Sequence, residues 1–172
     1  MKSIKKILFV TDLSDHAAHA YQYAVAMAER FGAGIVVLHV LEGTSSVNEE
    51  VLGKWIGARR MSELKAKARE EARDLLIGKK RHGVIVQEAL ECFCSEVQQG
   101  CEEESRVSSD AIVITEGKVV DGILNTCKET DCDMIVMAHP VRRVIDEPLF
   151  GATTRGVLRK STHPVLLVPP PQ

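Results

Sequence analysis

Three groups of residues have types and spacings that could do chemistry. The first runs from Met137 to Thr154, MAHPVRRVIDEPLFGATT, where an apolar run gives way to a polar loop and Gly151 opens a helix. The guanidinium forks of Arg142 and Arg143 and the hydroxyls of Thr153 and Thr154 flank that helix start, a combination able to pair with phosphate. Solvated loop charge for the arginines and helix capping for the threonines account for the same residues. His139 before Pro140 is pushed away from helical backbone angles, which restricts the loop further. The second group is Cys92-x-Cys94-x6-Cys101, which could offer thiolates to a soft metal or form a redox pair, with Cys127 or Cys132 as a further partner and His82 the nearest imidazole in sequence. It lacks paired Cys-x-x-Cys knuckles, and cysteine is a common small core residue. The third group, Thr11, Asp12, Ser14, Asp15 and His16, follows the first apolar run. Asp12 or Asp15 could hold Mg²⁺ near a nucleotide, and either serves equally as a helix cap. No nucleophile, base and orienter form a set. His39 sits inside an apolar run, where a buried, hydrogen-bonded imidazole is expected, and His163 before Pro164 reads as structural. The expectation is a protein that is not an enzyme and holds no metal.

These residues need a frame. A chain of 172 residues and 18.9 kDa is long enough for one well-packed core, and no Pro/Gly/Ser-rich linker divides it, so residues 1–172 read as a single domain. With 22 Lys and Arg against 24 Asp and Glu, the net charge of -2 gives no basic footprint for nucleic acid and no polybasic membrane patch. The N-terminal lysines precede an apolar run of only about four residues, too short for a signal peptide, and no stretch reaches the ~20 apolar residues that span a bilayer. A cytoplasmic location is expected, with the five cysteines reduced.

The pattern alternates. Residues 4–11 form a β-branched and aromatic run that reads as a buried strand. Ala17, Ala20, Tyr21, Ala24, Val25, Ala28 and Phe31 then recur at helical spacing up to Gly32, and GIVVLHVL (34–41) is a second strand. A charged helix is expected over 49–79, weakened early by Gly53 and Gly57 at about 1 kcal/mol each. It carries Trp55, the sole tryptophan, read as covering the core edge or as a lid or partner contact. Further strands are expected at 82–90 (HGVIVQEAL), 111–115, 131–137 and 165–168, with helices at 117–130 and after Gly151. Residues 91–110, acidic and holding three cysteines, read as an excursion between strands. Alternating strands and helices imply a mostly parallel sheet covered on both faces.

ILFVTDLSD at the start, VVLHVLE at the second strand and DMIVM with LFGATTRGVLRKSTHPVLLVP at the end resemble the universal stress protein family. The resemblance covers 1–83 and 111–169. It implies an α/β fold: a Rossmann-like (adenine nucleotide alpha hydrolase-like) open parallel five-stranded sheet with helices on both faces. It also implies a homodimer formed through the last strand, Val165 to Val168, while the charge balance points to neither nucleic acid nor membrane as partner. Many members bind ATP and others bind none. By the resemblance Asp12, flanked by Val10 and Thr11, would meet the adenine and ribose, and Val40 would line the base. The family's phosphate motif has a glycine after the fourth strand, a second three residues on, and a third followed by Ser or Thr. Counted from Met137, those positions are Ala138, Val141, Gly151 and Ala152, so one of four is kept. Glycines there let backbone N–H groups approach a phosphate. Valine and alanine do not. The cofactor-binding candidates are therefore Val10, Thr11, Asp12, Val40, Met137, Ala138, Gly151, Ala152 and Thr153. The expected function is stress-linked regulation or binding without ordinary ATP binding. An ATP- or AMP-binding switch and a thiol redox or metal sensor built on the cysteine segment are the alternatives.

Overall fold

The computed structural model describes residues 3–42, 49–70, 77–98, 112–139 and 150–171. Within them the elements run β1 (Lys6–Val10), α1 (Asp15–Phe31), β2 (Gly34–Leu41), α2 (Glu49–Ile56), α3 (Ala58–Glu70), α4 (Ile77–Val97), β3 (Ile112–Glu116), α5 (Val119–Glu129), β4 (Met134–Ala138), α6 (Ala152–Lys160) and β5 (Val165–Val168). All five strands pair in parallel, in the order β3-β2-β1-β4-β5. This is the expected Rossmann-like sheet. No helix among the described residues is long and apolar enough to cross a membrane.

Period-two alternation sends side chains to two separate apolar layers. Ile7 and Phe9 of β1, with Ile35 and Val37 of β2, pack under α1, α2 and α4. Leu8, Val36 and Leu38 face the opposite way, toward α5 and α6 with Ile123, Cys127 and Val157. Because neighbouring strands are buried on both faces, they read as continuous apolar runs.

The expected strand at 82–90 is a correction. That segment lies inside the helix α4, which buries Val86, Ala89, Leu90, Phe93 and Cys94 on one face. Their spacing of three and four is the helical period, and five residues buried this way outweigh the strand preference of one β-branched triplet at 84–86. Removing this strand leaves the five that pair. The excursion at 91–110 is corrected in its first part too: residues 91–97 are the last turns of α4, with Gln98 in a tight closing turn. The rest of it, Cys101 included, lies outside the described residues. The single helix expected over 49–79 breaks at Gly57, whose φ of +76° belongs to the left-handed region that glycine tolerates. Residues 71–76 lie outside the described residues.

Trp55 is a core-edge residue, 8% exposed and set edge-on to Phe93 with ring centroids 4.9 Å apart. Phe93 in turn contacts Tyr21 and Phe9 at 5.5 and 6.2 Å, an aromatic cluster that joins α1, α2, α4 and β1. Strand order reverses direction between β1 and β4, where chain crossovers leave toward opposite faces. A crevice forms at the carboxyl ends of the strands at such a point.

Candidate functional site

A cleft of about 320 Å³ occupies that crevice. The nine residues expected from the sequence, Val10, Thr11, Asp12, Val40, Met137, Ala138, Gly151, Ala152 and Thr153, all line it. Ser14, His16, Ala17, His39, Val119 and Thr154 complete the wall. Val119 and Ala17 were not singled out for the site in the sequence. Val119 is the first residue of α5, which starts just beyond the carboxyl end of β3, and that position was the available signal.

One wall is the turn joining β1 to α1. Thr11 N donates to the carbonyl of Leu38 at 3.0 Å, and the Thr11 hydroxyl accepts from Leu13 N at 2.9 Å. Asp12 Oδ1 accepts from Ser14 N at 3.0 Å, which orients the carboxylate from below while Asp12 itself stays exposed. Ser14 then caps α1, its Oγ accepting from Ala17 N at 3.2 Å. Leu13 has a φ of +64°, unusual for a residue with a branched side chain, and costs on the order of 1–3 kcal/mol. Burial of its side chain and a bond from Trp55 Nε1 to its carbonyl, 2.9 Å, oppose that strain.

His39 is 7% exposed and hydrogen-bonds through Nδ1 to the carbonyl oxygen of Thr11 at 2.8 Å. A carbonyl only accepts, so the Nδ1 carries the proton. Burial, the larger effect, lowers the His39 pKa against the raising effects of the Thr11 bond and the nearby Asp12 charge. The ring is therefore held neutral, with Nε2 as an acceptor.

The floor is apolar. Val40 and Val119 sit there with Met137, and Gly122 lets α5 lie close to β2, since a Cβ on it would come within 3.1 Å of Val40 Cγ2 and of Thr115 Oγ1. Such a surface can cover a flat ring while a carboxylate at its rim accepts from amino or hydroxyl groups.

The opposite wall is the start of α6. Gly151 is its N-cap, at φ -61° and ψ 164°, and as a glycine it has no side chain with which to cap the helix. Among the described residues the first N–H groups of α6 are thus available at the cleft, as an anion site requires. The glycine's φ is ordinary, and among the described residues open space surrounds the place a Cβ would occupy. Ala138, where the family has glycine, ends β4 in regular pairing with Val168. Ala152 is exposed and offers no hydroxyl, whereas Thr153 is half-buried and Thr154 buried at the cleft wall. His139 leaves the sheet with its ring 4.8 Å from that of Phe150, and its Nδ1 has no partner among the described residues. Pro140, Val141, Arg142 and Arg143 lie outside the described residues.

The four described cysteines stand apart from this cleft. Cys94, Cys127 and Cys132 are buried and Cys92 is half-buried. Burial pushes the thiols of Cys94 and Cys127 up to about 11, and raises those of Cys92 and Cys132. Among the described residues, no three His, Cys, Asp or Glu side chains gather as metal ligands would.

A model of the universal stress protein family matches residues 3–169. The chain is 24% identical to universal stress protein MJ0577 of Methanocaldococcus jannaschii, over 95% of this chain and 94% of that protein. The solved structure of MJ0577 superposes with a TM-score of 0.54, covering 99% of both chains at 25% identity. Universal stress protein UspA from Lactobacillus plantarum, 18% identical, gives a TM-score of 0.63 over 98% of this chain and 99% of its own. A universal stress protein in complex with cAMP, 19% identical, gives 0.55 over 97% and 98%.

Proposed function

The chain belongs to the universal stress protein family, a stress-response family, and from that premise we propose that it is a regulatory protein that binds an adenosine monophosphate in the Asp12 cleft and catalyses no reaction. The observation that carries this reading is the asymmetry of the cleft. Its nucleoside side is complete: an oriented carboxylate at Asp12, an apolar floor at Val40, Val119 and Met137, and a neutral acceptor at His39. Among the described residues its phosphate side is the start of α6 with Thr153 and Thr154 beside it. The roughly four N–H donors at one helix start suit one phosphate group better than three. The cleft volume of about 320 Å³ falls at the small end of ligand pockets, which run from roughly 300 to 1,000 Å³. A family member crystallised with cAMP, itself a monophosphate, supports the same ligand class.

The protein acts in the cytoplasm as a homodimer. Among the described residues β5 is an edge strand, bonded only to β4, and an apolar edge of this kind invites pairing with a copy of itself. Light scattering that gave only an 18.9 kDa species would remove the dimer from the proposal.

Calorimetry with AMP, cAMP, adenosine and ATP tests the ligand. AMP or cAMP is expected to bind at least as tightly as ATP, and Asp12→Ala to abolish binding of each. ATP binding more tightly than AMP by tenfold or more, or no binding by any of the four, would overturn the assignment.

A further inference from the structure

The turn that carries Asp12 is fastened from α2 by the buried side chain of Trp55. Thr11 is tied to β2 by its amide and carbonyl, and Leu13 N and Ser14 N bond within the turn. The Leu13 carbonyl accepts the indole N–H of Trp55. A buried indole N–H must find an acceptor, and this acceptor exists in place only while Leu13 keeps its left-handed φ of +64°. Rotating the peptide between Leu13 and Ser14 would withdraw the carbonyl and move Asp12 Oδ1 off Ser14 N. The indole is itself fixed, edge-on to Phe93 of α4, and its neighbour Lys54 pairs with Asp15 in the first turn of α1. α2 thus grips both sides of the turn, and the stronger grip is the buried one.

Resting on the nucleotide reading above, we propose that Trp55 is a positioning residue: through the Leu13 carbonyl it holds Asp12 at the cleft wall and couples α2 to occupancy of the cleft. Coupling of this kind is reciprocal. Anything that shifts α2 changes ligand affinity, and ligand in the cleft changes the surroundings of the indole.

The test uses the full chain and its own tryptophan. In the ligand-free wild type, the Trp55 indole N–H and the amides of Leu13 and Ser14 are expected to exchange with one shared protection, since one opening event exposes all three. Unrelated protection overturns the proposal whatever binds in the cleft. Trp55→Phe keeps a ring against Phe93 and deletes the donor. It is expected to speed Leu13 and Ser14 exchange about fivefold while Leu8 and Phe9 stay protected. Equal exchange in both proteins overturns the proposal. AMP titrated into wild type is followed by calorimetry and by Trp55 emission, with coincident curves expected and affinity about fivefold weaker in Trp55→Phe. Calorimetric saturation with unchanged emission also overturns it. A calorimetric blank defeats the AMP reading alone and leaves the exchange measurements to decide.

Discussion

The Thr11 carbonyl and the His39 imidazole meet at 2.8 Å across the carboxyl ends of β1 and β2. The bond fixes more than a distance. It ties the first residue beyond β1 to the strand beside it, it assigns the proton to Nδ1, and it leaves the second nitrogen of a buried ring as an acceptor beside Asp12. A protonated His39 would keep the Thr11 bond but would place a cation in a site that desolvates it.

Stability should therefore depend on pH through His39. Its folded pKa lies below the unfolded value of about 6.5, so between those two values the unfolded chain binds more protons. The contribution is present in full above pH 6.5 and is lost as pH falls from there through the folded value. Urea midpoints measured from pH 7.5 to pH 5 should fall in the wild type. In His39→Asn, which keeps a donor of similar reach, the same interval should be flatter. Equal slopes in the two proteins would exclude His39 as the source.

Ala152 lies where the family's phosphate motif has a hydroxyl, and it is the first residue of α6 at the cleft. Ala152→Ser should tighten AMP and ATP by about 0.5–1.5 kcal/mol, roughly twofold to tenfold, by adding one donor near the phosphate. Adenosine affinity should not change. Calorimetry with the three ligands separates a phosphate contact from a general effect on the cleft, which would move all of them together.

Much of this site could be read from sequence because it is made of strand ends. Asp12, Val40 and Met137 each close an apolar run whose length gives away its strand, and a parallel sheet brings such ends to one side. The segment 82–90 was illegible for a related reason: the triplet Val84, Ile85, Val86 imitates a buried strand, and only the burial of Ala89, Leu90, Phe93 and Cys94 on the same face identifies the helix. The Trp55 to Leu13 bond joins residues 42 positions apart and depends on a backbone angle. No local pattern encodes either. Gly151 is legible in the sequence as a helix start and is the N-cap of α6, and its ordinary φ means that backbone freedom is not what it supplies there.

The thiols should be slow to react. A thiol raised to about 11, as at Cys94 and Cys127, is thiolate in about one part in ten thousand at pH 7, and the thiolate is the reactive form. Cys92 and Cys132 are shifted in the same direction. In native protein at pH 7.5 these four should resist a disulfide reagent or mild peroxide for far longer than in urea. Mass spectrometry of trapped peptides can assign each site. Rapid native oxidation at any of the four would revive a redox role for the cysteine segment.

Gly156 lets α6 lie close to α5, and it shows how tightly the anion wall is set. A Cβ there would lie 2.7 Å from Val120 Cγ2 and 3.3 Å from Cγ1, whereas the corresponding contacts at Gly122 are no nearer than 3.1 Å. Val120 is β-branched and helical, so its side chain has little rotamer freedom with which to retreat. Gly156→Ala gains about 1 kcal/mol of helix propensity but incurs an overpacking cost of about 1–3 kcal/mol. The net effect should be destabilising by about 1 kcal/mol, and relief by displacement of α6 should move its N-terminus away from Asp12 and weaken AMP. Val120→Ala removes both methyl groups that clash. In a double-mutant cycle it should restore the propensity gain, leaving the pair more stable than Val120→Ala alone. Urea denaturation of the four proteins checks this, and additive effects would mean that α6 does not rest on Val120.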